Sequence, residues 1–342
     1  MLEYAVFYLL MGVQMKIAVI GAGAWGTALA IHFNRCGHTV SLFAENQAMA
    51  DQINQHGENI LFFKGFRLPE HLTVTADYRQ LTNADLILAV VPTGALRQVA
   101  TTHLQQFAPK TPVLAACKGF EKNTGLLPHQ VLQEVLPENP YIGLLSGPSF
   151  AKEVAQGLPC AVCIASNNNE WADQISAQLN STIMRIYANH DPIGVAVGGA
   201  VKNVIAVAAG IADGLQFGLN ARAALLTRGL AEITRLALAL GANATTMMGL
   251  AGMGDLILTA TGDLSRNRQV GLKFAENKPL PQILQELGHV AEGINTIAEV
   301  NRMAQKHGID MPITRILFDL INDKITARQA VEALMLRQPK EE

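Results

Sequence analysis

Two hydrophobic rhythms divide the chain. From Lys16 to about residue 190, short continuous apolar runs alternate with segments of helical spacing. The runs are Lys16-Ile-Ala-Val-Ile, Thr39-Val-Ser-Leu-Phe-Ala, Asp85-Leu-Ile-Leu-Ala-Val-Val, Pro112-Val-Leu-Ala-Ala-Cys, Pro140-Tyr-Ile-Gly-Leu-Leu, Ala161-Val-Cys-Ile-Ala and Met184-Arg-Ile-Tyr. The unbroken run after Asp85, closed by Pro92, predicts a parallel strand buried on both faces, and the alternation of strands with helical segments predicts a doubly wound sheet. Helical segments are expected after Glu45 as far as Gln55 and over Gly94 to Leu104. Beyond Asp191 the apolar residues recur at helical spacing and strand candidates almost vanish. The longest such segments are Ile193–Leu215 and Ala221–Leu240, followed by Gln269–Glu276, Ile294–Lys306 and Ala327–Leu336. The expected fold class is therefore α/β: an N-terminal Rossmann-type doubly wound sheet over 15–191, then an all-helical domain over 192–337. A substrate would lie in the cleft between two such domains. Residues 1–14 read as an upstream extension and 338–342 as a tail.

The first strand runs into Gly21-Ala-Gly23-Ala-Trp-Gly26, and an alanine-rich helix follows. This order suits a dinucleotide turn: Gly21 permits the tight exit, Gly23 admits a pyrophosphate and Gly26 lets the helix approach the sheet. The helix N-terminus offers N–H groups to the anion. Glu45 falls at the end of the second strand, where an acidic residue binds the adenosine ribose.

Composition narrows the class. Apolar residues make up 49% and charged residues 16%, which suits a well-buried enzyme, and a net charge of −2 gives nucleic acid no reason to bind. Cys36, Cys117, Cys160 and Cys163 are too few and too irregular for a disulfide framework. Cys160-Ala-Val-Cys163 sits in a strand, where positions three apart point to opposite faces, so it does not read as a redox pair. No second cluster joins Cys160 and Cys163 to complete a zinc site, and no histidine pair has metal-ligand spacing. The apolar stretch within residues 1–14 is too short to span a bilayer and lacks a basic start, so no stable membrane insertion is expected.

Several side chains stand out against their surroundings. Lys202 interrupts the apolar run Val195-Ala-Val-Gly-Gly-Ala-Val-Lys-Asn-Val-Ile-Ala-Val, where an ammonium needs a partner. Such a lysine can hand a proton to a carbonyl oxygen as hydride arrives and recover it in reverse; the alternative is a stem lying on apolar surface with its head in water. Asp255, in Gly-Met-Gly-Asp-Leu ahead of a strand-like run, could pair with Lys202, bind a hydroxyl or serve as a turn residue. Ser265-Arg266-Asn267-Arg268 opens a helix with a cap, an amide and two guanidinium groups, a seat for phosphate or simply a solvated basic turn. Lys118 and Ser146-Gly147-Pro-Ser149 follow strand carboxyl ends, where ligands of open α/β sheets sit.

Together these motifs resemble the bacterial NAD(P)-dependent sn-glycerol-3-phosphate dehydrogenases. The matching pieces run from Gly21-Ala-Gly-Ala-Trp-Gly-Thr-Ala through Cys117-Lys-Gly, Ser146-Gly-Pro-Ser-Phe-Ala-Lys-Glu and Gly199-Ala-Val-Lys-Asn. They continue with Asn220-Ala-Arg-Ala-Ala-Leu-Leu-Thr-Arg-Gly, Gly252-Met-Gly-Asp-Leu, Ser265-Arg-Asn-Arg and Val290-Ala-Glu-Gly. The resemblance implies reduction of dihydroxyacetone phosphate to sn-glycerol 3-phosphate, feeding phospholipid synthesis in the cytoplasm, by a homodimer. It implies Lys202 as catalytic acid and base. Substrate contacts would be Lys118, Gly147, Ser149, Lys202, Asp255, Ser265, Arg266 and Asn267. Cofactor contacts would be Ala24, Trp25, Lys118, Ala151, Arg266, Val290 and Glu292. Ala24 stands where many members carry a hydroxyl. Glu45, with no Lys or Arg before Lys64, should accept from a free ribose 2′-OH and repel a 2′-phosphate, so NAD is expected over NADP. The competing readings are a related hydroxyacid dehydrogenase and a nicotinamide-binding sensor without turnover.

Overall fold

The computed structural model describes residues 14–288 and 292–335, without the side chains of Glu292 and Met335. The apolar segment before Gln14, Val290 and the C-terminal tail lie outside the described residues. The chain forms two compact units. One comprises the residues up to Lys118 together with Pro128–Pro192; the other comprises Gly119–Leu127 and the residues from Ile193 onward.

The first unit is built on one eight-stranded sheet. Its strands are β1 (Lys16–Ile20), β2 (Thr39–Phe43), β3 (Thr73–Thr75), β4 (Leu86–Ala89), β5 (Val113–Ala115), β6 (Ile142–Ser146), β7 (Cys160–Ser166) and β8 (Met184–Asn189). Their spatial order is β3-β2-β1-β4-β5-β6-β7-β8, and every neighbouring pair is parallel except β6 with β7. The doubly wound Rossmann-type expectation holds. β1 is followed in sequence by β2 on one side and flanked by β4 on the other, so the topological switch point falls between β1 and β4. Parallel strands covered on both faces bury every residue of β4, β5 and β6, which is why their sequences show no polar alternation.

The helices of this unit follow from local signals. Helix α1 (Ala24–Arg35) is buried at eight successive positions from Gly26 to Phe33, which accounts for its mostly small and apolar sequence there. Helix α2 (Gln47–His56) starts where the Asn46 side chain accepts from Met49 N–H and stops at left-handed Gly57. Helix α3 (Thr93–Thr102) follows β4 after Pro92, α4 (Pro128–Val135) precedes β6, α5 (Ala151–Gln156) follows it, and α6 (Asn169–Leu179) joins β7 to β8. The four cysteines are free; Cys160 and Cys163 lie in β7 as the strand reading expects.

The second unit is helical among its described residues. Helix α7 (Pro192–Gly214) is long and apolar enough to cross a membrane, yet its most apolar 18-residue window is entirely buried, making it the core of this unit. Helix α8 (Gly218–Ala239), α9 (Ala244–Met247), a π turn (Leu250–Gly254), α10 (Asp255–Thr261), α11 (Arg266–Ala275), α12 (Leu280–Leu287), α13 (Glu292–Lys306), α14 (Pro312–Ile321) and α15 (Ala327–Met335) complete it. The run after Asp255, which reads as strand-like in sequence, is helical. Close glycine contacts set the packing of α7. A Cβ on Gly198 would lie 2.4 Å from Ala251 O, and one on Gly210 would lie 2.0 Å from Arg268 O. Without side chains there, the Leu250–Gly254 turn and α11 both reach the α7 backbone. Asp213, near the end of α7, then pairs with Arg268 of α11 at 2.8 Å and Arg222 of α8 at 3.1 Å.

Candidate active site

The glycine turn behaves as its spacing predicts. Gly21 adopts φ +118°, and its N–H donates to Phe43 O at 3.1 Å. A Cβ on Gly26 would sit 1.9 Å from Gly21 O, so only glycine lets α1 close onto the turn, whereas around Gly23 nothing lies within 4 Å. No side chain caps the start of α1 at Gly23. Open space and an uncapped helix start fit an anionic dinucleotide bridge. Ala24 and Trp25 form the first turn of α1, Trp25 packing against the core. Glu45 is exposed two residues beyond β2, on the side of the switch point away from β4.

At the same carboxyl edge, Lys118 lies three residues beyond β5 and its Nζ donates to Gly147 O at 3.2 Å. Ser149 Oγ donates to the same carbonyl at 3.1 Å. Gly147 has φ +138°, and a Cβ there would lie 2.9 Å from Val162 Cα, so the turn is pressed onto β7. Lys118, Gly147 and Ser149 are thus one cluster, and Ala151 begins α5 just after it.

The second cluster belongs to the helical unit. Lys202 and Asp255 are 6% and 1% exposed. Lys202 Nζ donates to Asp255 Oδ1, and to Thr259 Oγ1 at 2.7 Å. Asp255 and Thr259 are one turn apart on α10, so they share the face that meets the lysine. The buried ammonium is therefore paired and hydrogen-bonded, the condition under which such burial is tolerated. The reading of Lys202 as a surface lysine with its head in water is excluded by this burial. Thr259 was missed in the sequence; reading α10 as a helix would have placed it at i+4 from Asp255.

Next to Lys202, Asn203 Oδ1 accepts from Asn267 Nδ2 at 2.9 Å, and Asn267 Oδ1 accepts from Gly293 N–H at 3.1 Å. These bonds tie α7, the start of α11 and the start of α13 together. Ser265 is buried and caps α11, accepting from Arg268 N–H at 3.3 Å. The two arginines of the tetrapeptide differ in role: Arg268 is held by Asp213 and Asp263, whereas Arg266 is exposed. Glu292 opens α13; its side chain and Val290 lie outside the described residues.

One further residue anchors the glycine turn without any sequence signal. Asn59, fully buried, donates through Nδ2 to Ala22 O at 2.8 Å and to Thr27 Oγ1 at 2.9 Å.

Comparison with known proteins agrees with this geometry. Residues 16–172 match the family model described as the NAD-dependent glycerol-3-phosphate dehydrogenase N-terminus, and residues 191–332 match that of its C-terminus. A Neisseria meningitidis protein named glycerol-3-phosphate dehydrogenase [NAD(P)+] is 58% identical over 327 residues, covering 95% of this chain and 99% of the relative. A Dechloromonas aromatica protein of the same name is 54% identical, covering 96% and 99%. The crystal structure of glycerol-3-phosphate dehydrogenase from Coxiella burnetii superposes with a TM-score of 0.90 at 39% identity, over 95% of this chain and 99% of that one. With both halves matched and more than half its residues identical to such relatives, the chain belongs to the NAD-dependent glycerol-3-phosphate dehydrogenase family.

Proposed function

We propose that the chain catalyses reversible hydride transfer between a nicotinamide dinucleotide and dihydroxyacetone phosphate, giving sn-glycerol 3-phosphate, with Lys202 as general acid and base. The observation that carries this reading is the buried Lys202–Asp255–Thr259 constellation inside an apolar helix. A fold has little reason to bury an ammonium of this kind for stability alone, since an apolar replacement is often as stable.

When bound, the reduced nicotinamide supplies the hydride. Lys202 donates a proton from Nζ to the oxygen of the substrate carbonyl as negative charge develops there, and in the reverse direction its neutral amine takes the hydroxyl proton. Asp255 orients Nζ and balances its charge, and Thr259 Oγ1 fixes the remaining freedom of the amine. The Arg266 guanidinium and the N–H groups at the start of α11 hold the substrate phosphate, with Ser265 and Asn267 shaping that helix end. Binding energy from this remote anion positions the ketone, so its loss should lower turnover as well as affinity. Lys118, Gly147 and Ser149 contact the substrate from the sheet edge. Gly21, Gly23, Ala24, Trp25 and Gly26 hold the cofactor pyrophosphate, with Lys118, Ala151, Arg266, Val290 and Glu292 as further cofactor contacts. Glu45 accepts from the adenosine ribose and disfavours a 2′-phosphate. The enzyme acts as a cytoplasmic homodimer whose product enters phospholipid synthesis.

The test is the initial rate of reduced-cofactor oxidation on adding dihydroxyacetone phosphate, run with NADH and with NADPH. The reading predicts substrate-dependent oxidation and a higher kcat/KM with NADH. Equal or better efficiency with NADPH would refute the role of Glu45, and no substrate-dependent oxidation with either would refute the activity.

A further inference from the structure

Asn59 lies in the turn-rich stretch after α2, far in sequence from the glycine turn it touches. Its side chain uses both ends. Nδ2 donates to Ala22 O at 2.8 Å and to Thr27 Oγ1 at 2.9 Å, while Oδ1 accepts from Phe62 N–H at 3.2 Å. Asn59 and Thr27 are both fully buried, and Ala22 is nearly so.

The consequence follows from peptide geometry. The Ala22 carbonyl and the Gly23 N–H belong to the same peptide unit, and no peptide bond among the described residues is cis. In a trans unit the C=O and N–H point in opposite directions. Holding the carbonyl inward on Asn59 therefore turns the Gly23 N–H the other way, and the space around Gly23 is open, with nothing within 4 Å of a Cβ built there. A flip of this unit changes ψ of Ala22 and φ of Gly23, and because glycine accepts either sign of φ, Gly23 leaves the unit free to flip. A flipped unit would present a carbonyl oxygen, instead of a donor, to any anion at the start of α1. The other backbone bonds of the turn, Gly21 N–H to Phe43 O at 3.1 Å and Thr27 N–H to Gly23 O at 2.9 Å, do not fix that unit's polarity.

We infer that Asn59 is a positioning residue that sets the polarity of the Ala22–Gly23 peptide and so aims the Gly23 N–H at the cofactor pyrophosphate. The inference rests on the dinucleotide reading above. Asn59 touches no reacting atom; it acts through the turn.

The test uses the full chain without substrate. NADH affinity is read by fluorescence titration and ADP-ribose affinity by calorimetry, ADP-ribose carrying the pyrophosphate without the nicotinamide. Asn59→Ala should weaken both ligands together by about tenfold or more, the size of one lost hydrogen bond to a charged group. In steady state KM for NADH should rise by the same factor, with kcat at saturating NADH and KM for dihydroxyacetone phosphate unchanged. Asn59→Asp, which sets a carboxylate oxygen against the Ala22 carbonyl, should lose at least as much. Thr27→Val removes one acceptor but keeps the grip on Ala22, so its affinities should stay near wild type. If Asn59→Ala does not accumulate as folded protein, Asn59→Ser, which retains a short hydroxyl, serves the same comparison. Wild-type NADH affinity in the Asn59 variants would overturn the inference. So would a loss spread equally over kcat and the substrate KM, or a Thr27→Val defect as large as that of Asn59→Ala. If the unaltered chain shows no saturable NADH binding, the dinucleotide reading itself fails and this inference falls with it.

Discussion

Asp255→Asn isolates the charge of the buried pair while keeping its shape. The amide oxygen can still accept from Lys202 Nζ, and Thr259 Oγ1 remains 2.7 Å from that nitrogen. What disappears is the counter-charge to an ammonium that is 6% exposed. Removing one partner of a buried pair costs about 3–5 kcal/mol. The lysine has an alternative, which is to shed its proton. From an ordinary value of about 10.4, holding the amine neutral at pH 7 costs about 4.6 kcal/mol. The two estimates are similar, so the deficit at pH 7 should be about 4 kcal/mol, a large share of a stability of about 5–15 kcal/mol. The sign with pH is fixed by linkage. In the variant the folded state binds fewer protons than the unfolded state, so its deficit shrinks as pH rises toward 9. Both tryptophans, Trp25 and Trp171, lie in the first unit, so intrinsic fluorescence would miss this event. Urea unfolding followed by far-ultraviolet circular dichroism, to which the second unit's helices contribute heavily, reads it at pH 7 and pH 9. Turnover should fall at pH 7, because a part of the amine is then neutral and cannot donate the proton and the part that stays charged has lost its counter-charge. A variant within 1 kcal/mol of wild type at pH 7, or a deficit that does not shrink with pH, would refute the claim that the pair is desolvated.

Two other perturbations address the frame of the site. Glu232 on α8 is 1% exposed and accepts from the N–H groups of Ile313 and Thr314 and from Thr314 Oγ1, capping α14; burial pushes its carboxyl up to about 7 despite these donors. A carboxyl raised in the fold makes stability fall as pH rises from about 4.5 to about 7, by about 3 kcal/mol in all, and level off above. Thermal midpoints at pH 5 and pH 8 should show this fall in wild type and not in Glu232→Gln; equal slopes would exclude Glu232 as its source. Gly271→Ala would place a Cβ 2.1 Å from Val207 O, a backbone atom that yields only if α7 and α11 separate. The overpacking, about 1–3 kcal/mol, outweighs the gain of about 1 kcal/mol in helix propensity. Reduced stability and a raised KM for dihydroxyacetone phosphate are expected, and a stabilised variant would contradict the helix–helix contact.

The features legible in the sequence were those whose signal is local. Short apolar-rich runs marked seven of the eight strands, and the glycine spacing located the turn, where Gly21 and Gly26 have steric reasons of their own. β3 escaped because Thr73–Thr75 is three residues long with two threonines, too short for any period to emerge. Helices α4 and α5 and the region from α9 to α10 were missed or misread because they are short, and α6 was missed although it is at least as long as α2; Leu-Ile-Leu after Asp255 cannot declare helix or strand over so few residues. The odd charge in an apolar helix made Lys202 visible, and its partner Asp255 was nameable as one candidate. Asn59 and Thr259 were not, since each acts through contacts dozens of residues away and neither disturbs the pattern around it. The grouping of Gly119–Leu127 with the helical unit has the same origin: Asn123 N–H donates to Glu299 on α13 at 3.4 Å, a pairing that no spacing announces.

The most direct measurement of the central claim is turnover of Lys202→Ala at saturating NADH and dihydroxyacetone phosphate, with NADH affinity measured on the same preparation. Loss of at least a thousandfold in kcat, with NADH binding and helix content kept, is the predicted outcome. A variant that binds NADH normally and turns over within tenfold of wild type would contradict Lys202 as the proton donor.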